Sequence, residues 1–154
     1  PDITSLIRTS REVNDAQPQV VVDRLKQAVG GSLEGKRVAA LGLAYKADVD
    51  DLRSSPAVEI AQLIGQNNAH VKCYEPYKVD AEIPGLTLTK GLEETLEDAD
   101  VIILLVAHEP FRKIQPEDLL LITPARHVFD AVHAWDNKDW ITAGFNYHAL
   151  GVGS

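Results

Sequence analysis

The stretch VAALGLAYKADVDDLRSSPAVEIA, residues 38–61, decides how this chain is read. An apolar run, Val38 to Leu43, breaks at Gly42 into a polar loop carrying Lys46, Asp48, Asp50, Asp51 and Arg53. The loop closes with Ser55-Pro56, an N-cap residue followed by proline at the first helical position, and a helical apolar pattern begins there. The order is strand, charged loop, helix. In open α/β sheets ligands lie beyond the carboxyl ends of the strands, and a helix N-terminus favours anions. A loop with two cations here is the chain's best candidate for an anion site.

Outward from this unit the pattern alternates. Strands are expected at Arg37 to Leu41, His70 to Tyr74, Leu86 to Leu88, Val101 to Val106, His127 to Asp130 and Phe145 to Leu150, with helices over Pro56 to Gln66, Leu92 to Ala99, Pro116 to Ile122 and Lys138 to Ala143. The nearly unbroken run Ile102-Ile103-Leu104-Leu105-Val106 suits a central parallel strand covered on both faces. Such alternation predicts an α/β fold, a Rossmann-like doubly wound, mainly parallel sheet of about six strands. Ahead of it, Leu6, Val13, Val20, Val21, Leu25 and Val29 recur at helical spacing. They predict a long helix from Ser5 to Val29, kinked or split at Pro18 and ended by Gly30-Gly31. Its apolar stripe either packs on this domain or meets another domain or subunit.

Composition narrows the partners. A length of 154 residues fits one domain, and a net charge of -8 argues against nucleic acid and anionic membranes while leaving room for a local phosphate site. One cysteine, Cys73, excludes an internal disulfide and fits a reducing, cytoplasmic compartment. No apolar run nears the roughly 20 residues that span a bilayer. The opening lacks Met and enters a helix almost at once, as expected of a piece of a longer chain.

Two familiar phosphate motifs are absent. Gly30-Gly31-Ser32-Leu33-Glu34-Gly35-Lys36 begins like a phosphate loop, but Arg37 replaces the Ser or Thr and the segment precedes a strand. After the first strand Gly42 stands without the further glycines of a dinucleotide fingerprint. Glu75 ends the second strand, where it serves either as an acid for a ribose hydroxyl or as a solvated strand-end acid. In the loop, Lys46 and Arg53 either grip a diphosphate together or pair with the three aspartates on the surface. Tyr45 stacks, hydrogen-bonds or seals the strand end. Cys73 reads as a buried, inert thiol. His108 and Glu109 follow the central strand, and His133 follows Asp130; all three are either rim residues of the same crevice or surface polarity. The histidines lack metal-ligand spacing, and no nucleophile and base pair is identifiable. A receiver-type signalling domain using Asp50 and Asp51 would need an acid near Thr87, and none is there.

LGLAYKADVDDLRSSPAVEIA, residues 41–61, resembles the signature of the C-terminal domain of the UDP-glucose and GDP-mannose dehydrogenase family, the nucleotide-sugar 6-dehydrogenases. IRTSREVND, CYEP, DADVIILLVAHEPF and FDAVHAW extend the resemblance over nearly the whole chain, and SLIRTSREVNDAQP is most similar to the UDP-N-acetylmannosamine dehydrogenases. The resemblance implies a two-step, two-NAD oxidation of a UDP-sugar alcohol to a carboxylate, carried out by two Rossmann-like domains around a dimerising helix. It divides the chain into the end of that helix, residues 1–31, and a UDP-sugar-binding domain, residues 32–154. It assigns Tyr45 and Lys46 to the sugar nucleotide and Arg53 to NAD, and makes the leading helix an exposed homodimer interface. The family's catalytic cysteine and NAD-binding domain have no counterpart, so the chain alone is expected to be inactive. Val132 stands where the family carries a substrate-contacting Arg or Lys, leaving His133 as the stand-in. The rival reading is a stand-alone dinucleotide-sensing Rossmann module without catalysis.

Overall fold

The structure, a computed structural model, describes residues 18–150. In chain order they form α1 (Pro18–Ala28), β1 (Arg37–Leu41), α2 (Pro56–Gln66), β2 (His70–Tyr74), β3 (Thr87–Leu88), α3 (Leu92–Leu96), β4 (Val101–Leu104), α4 (Glu109–Arg112), α5 (Pro116–Leu119), β5 (His127–Asp130), α6 (Asn137–Ala143) and β6 (Asn146–Ala149). The six strands make one sheet in the order β3-β2-β1-β4-β5-β6, and every neighbouring pair is parallel. The expected doubly wound sheet is therefore present, and it is wholly parallel.

Period-two alternation divides the central strands between two cores. Val38 and Ala40 of β1 with Val101 and Ile103 of β4 face α1 and α2, packing with Val22, Leu25, Ile60 and Ile64. Ala39 and Leu41 with Ile102 and Leu104 face the other side, packing with Leu96, Phe111, Leu119 and Trp140. Each fully buried Leu or Ile contributes about 1.5–3 kcal/mol relative to exposure, so two apolar faces on one strand make β1 and β4 the sheet's centre.

Several boundaries tighten. β4 ends at Leu104 instead of Val106, because after the Leu105 N–H bonds to Leu41 O at 2.9 Å the chain turns against Gly42. α3 and α5 are shorter than their apolar patterns suggest, and α4 was not expected at all. Its sequence signal is Glu109-Pro110, an acid and a proline in a first turn.

The leading helix needs a correction. Its part before Pro18, with Leu6 and Val13, lies outside the described residues, and α1 starts at Pro18. The stripe expected to be exposed is buried from there on: Val21, Val22 and Leu25 are at most 2% accessible. α1 lies against α2 and β5, so these residues complete the domain's own core; Val20, at 42%, stays outside. The helix closes at the two glycines as expected, with the Gly31 N–H on Lys26 O at 2.7 Å.

Candidate functional site

Strand order reverses between β1 and β4, and beyond their carboxyl ends the chain leaves for opposite faces of the sheet, toward α2 from β1 and toward α4 from β4, which opens a crevice there. The loop from Gly42 to Ser55 forms one wall of it. Gly42 has φ +96°, and a Cβ added to it would stand 2.7 Å from Val106 Cβ, so only glycine lets the two strand ends approach this closely. Ser55 ties the loop to α2: its Oγ donates to Ala44 O at 3.1 Å and accepts the Ala57 N–H at 3.2 Å.

Beneath the loop is a buried polar assembly. Glu75, wholly inaccessible, accepts the N–H groups of Leu43 at 2.8 Å, Ala44 at 3.0 Å and Tyr77 at 3.0 Å. His108, equally buried, places Nε2 2.9 Å from the same carboxylate and Nδ1 2.8 Å from the Asp48 N–H. Nδ1 accepts only with its lone pair free, so the ring hydrogen is on Nε2 and is donated to Glu75. Burial works to raise the Glu75 pKa, but the hydrogen bonds from His108, Leu43 and Tyr77 outweigh it, and the carboxyl is held below its ordinary range. Glu75 is thus neither a solvated acid nor a free acceptor for a ribose. Asp48, at φ +62°, is gripped on its side chain too, its Oδ1 accepting the Glu109 N–H at 2.7 Å and the Tyr77 hydroxyl at 3.1 Å. The Glu109 hydrogen bond is the main cause of its lowered pKa.

Above this assembly the loop residues expected at the site divide. Tyr45 is 52% exposed and Lys46 is exposed, and both line a small cavity of about 80 Å³ with Pro56, Val106, Ala131 and Val132. Among the described residues no ion pair engages Lys46. Arg53 behaves differently: its guanidinium meets Asp51 twice at 3.0 Å, and that bond, more than any other, lowers the Asp51 pKa to about 2. The two cations of the loop are not joined on one target. Asp48 takes Arg112, at 3.5 Å, so of the pairings expected within the loop only Asp51 with Arg53 forms.

At the end of β5, buried Asp130 accepts the N–H groups of Val132, Ala134 and Trp135 and the Tyr147 hydroxyl at 2.7 Å. That turn presents Val132 to the cavity, while exposed His133, at φ +55°, bonds through Nε2 to Leu150 O. Cys73 is buried in β2, and burial pushes its thiol up to about 12. Sequence reasoning left Glu75 and His108 undecided and overlooked Tyr77. Their only signal was position just beyond strand ends, which has meaning once β2, β1 and β4 are known to be adjacent.

A parallel doubly wound sheet with its crevice at the reversal point, walled by a glycine-poor charged loop that carries Lys46, defines a Rossmann-like domain. Residues 39–137 match the model of the UDP-glucose/GDP-mannose dehydrogenase family, UDP binding domain, and the chain belongs to that family. It is 41% identical over 90% of its length to an NDP-N-acetyl-D-galactosaminuronic acid dehydrogenase of Ralstonia nicotianae, and 37% identical over 88% to the UDP-N-acetyl-D-mannosamine dehydrogenase of Escherichia coli. It spans 32% and 34% of those proteins, about a third of their length. Among solved structures, the UDP-N-acetyl-mannosamine dehydrogenase of S. aureus superposes with a TM-score of 0.70 at 28% identity, covering 98% of this chain and 35% of that one. An NDP-N-acetyl-D-galactosaminuronic acid dehydrogenase from Methanosarcina mazei, 24% identical, shares the fold with a TM-score of 0.75, covering 87% of this chain and 28% of its own.

Proposed function

We propose that the chain is the C-terminal, nucleotide-sugar-binding domain of an NAD-dependent UDP-sugar 6-dehydrogenase. The enzyme oxidises UDP-N-acetylmannosamine to UDP-N-acetylmannosaminuronate, alcohol to carboxylate in two steps, as a cytoplasmic reaction of polysaccharide biosynthesis. The observation that carries this reading is Lys46 beside Tyr45 at the mouth of the crevice, in a chain of this family. Lys46 supplies a positive charge to the diphosphate or sugar, and Tyr45 supplies a half-exposed ring to stack or hydrogen-bond. His133 completes the substrate contacts from the β5 side once its bond to Leu150 is given up.

An NAD cradle does not fit these residues by themselves. The turn after β1 has no second glycine to admit a pyrophosphate, and Glu75, the acid a ribose would need, is fully engaged by four donors. NAD is therefore held mainly by protein outside this chain, and Arg53, with its side chain 89% exposed, reaches it from the loop. The chain alone does not turn over substrate. The proposed homodimer forms through the leading helix, residues 1–31, of which Val21, Val22 and Leu25 are occupied in the domain's own core while Val20 stays exposed.

Calorimetric titration of the chain with UDP, and separately with NAD, tests the reading. UDP binding without NAD is expected, weakened in Lys46→Ala by about 1.5–3 kcal/mol for a lost charged hydrogen bond. Tight binding of NAD alone would instead identify a dinucleotide-sensing module. Turnover of the N-acetylmannosamine against the N-acetylgalactosamine nucleotide by the full-length enzyme decides the sugar.

A further inference from the structure

A histidine buried only to fill space has no need of hydrogen-bonding nitrogens, and a leucine or phenylalanine would occupy the site of His108 without desolvating them. Both nitrogens of His108 are used, and they face different elements. Nε2 donates to Glu75 at the end of β2, and Nδ1 accepts the Asp48 N–H of the β1–α2 loop. Glu75 in turn holds Leu43 and Ala44. The loop backbone is therefore fastened to one buried assembly at residue 44 and again at residue 48; the Tyr45 N–H bonds to Asp51 O at 2.7 Å, so the span between the fastenings is Lys46–Ala47. Asp48 adopts φ +62°, a conformation that costs an L-residue about 1–2 kcal/mol, so without a partner for its N–H the backbone at this end of the span, then held only through the Asp48 side chain, has a reason to relax.

We propose that His108 is a positioning residue for nucleotide-sugar recognition: without touching the ligand, it sets where Lys46 stands by holding the Asp48 amide. The inference rests on the reading of Lys46 as a ligand contact given above. It predicts that the acceptor at Nδ1 governs affinity, and that the donor at Nε2 does not.

Two substitutions separate the nitrogens. The amide of His108→Asn falls near Nδ1 and keeps an acceptor for Asp48, whereas that of His108→Gln reaches toward Nε2 and keeps only the contact with Glu75. With UDP as the titrant, His108→Gln is expected to weaken binding about tenfold, the equivalent of one hydrogen bond of about 1.4 kcal/mol. His108→Asn is expected to stay within about twofold of the native chain, the error of additivity in such cycles. In a Lys46→Ala background His108→Gln is expected to have no further effect, a coupling that a purely structural role would not produce. Native affinity in folded His108→Gln, a weaker His108→Asn than His108→Gln, or additive losses with Lys46→Ala would overturn the proposal. If His108→Gln fails to fold, a tenfold loss in folded His108→Asn does the same, and retained affinity there supports it. Absence of UDP binding by the native chain removes both this inference and the functional reading. UDP binding weakened by Lys46→Ala but untouched by His108→Gln removes the inference alone.

Discussion

Replacing Glu75 by glutamine tests the assembly on which the site rests. The carboxylate accepts four hydrogen bonds, from the N–H groups of Leu43, Ala44 and Tyr77 and from His108 Nε2, all between 2.8 and 3.0 Å. Glutamine keeps one acceptor oxygen, so the three bonds at Oε1 survive as weaker, uncharged ones. Its amide nitrogen, however, points at the Tyr77 N–H, donor against donor. Losing one charge-assisted bond and stranding a half-buried donor costs about 2–4 kcal/mol, against a total stability of about 5–15 kcal/mol for a domain of this kind. The pH dependence then identifies the cause. The folded Glu75 pKa lies below its ordinary value of 4.5, so the stability it contributes is fully present above that value and is lost as pH falls through the folded pKa. The protonated carboxyl resembles the amide, and the difference between native and Glu75→Gln chains should narrow on acidification. Urea unfolding at a series of pH values from 7 downward measures both free energies with unchanged m. A difference that stays constant down to pH 3, or a Glu75→Gln chain as stable as the native one at pH 7, would refute the reasoning.

Gly42→Ala should cost about 1–2 kcal/mol for its positive φ and about 1–3 kcal/mol more for the 2.7 Å overlap with Val106 Cβ; adding Val106→Ala should recover little of it, because alanine keeps both the Cβ and the backbone nitrogen that are overlapped, as urea midpoints will register. The Cys73 thiol, buried with its pKa raised to about 12, should react with a disulfide reagent at pH 8 only as fast as the chain unfolds. Asp51 should stay ionised until pH falls to about 2, and in Arg53→Gln its carboxyl resonance should titrate higher but still below the ordinary value of 3.8, because the backbone N–H of residue 53 keeps its bond to Asp51 Oδ1 at 2.9 Å.

How much of this was legible in the chain depends on the range of each interaction. Strand and helix positions follow from apolar periodicity, a property of neighbouring residues, and β1, β2, β5 and α2 lie where their patterns put them. Lys46 and Tyr45 on a strand-to-helix loop were legible for the same reason, as was Ser55 as the cap of α2. The apolar stripe of α1 was visible as well, but a stripe does not say what covers it, and only the packing of α1 on α2 and β5 turned Val21, Val22 and Leu25 inward. Glu75 and His108 are 33 residues apart, and Asp48 is 60 from His108. They meet because β1 lies between β2 and β4 in the sheet, which brings all three strand ends to one edge of the crevice. Local spacing therefore determined which residues could bear charge beside a ligand. Strand order, a long-range outcome of burying both faces of the sheet, decided which charges are buried as supports and which remain turned to solvent, whereas the pairing of Arg53 with Asp51, two residues apart, is local.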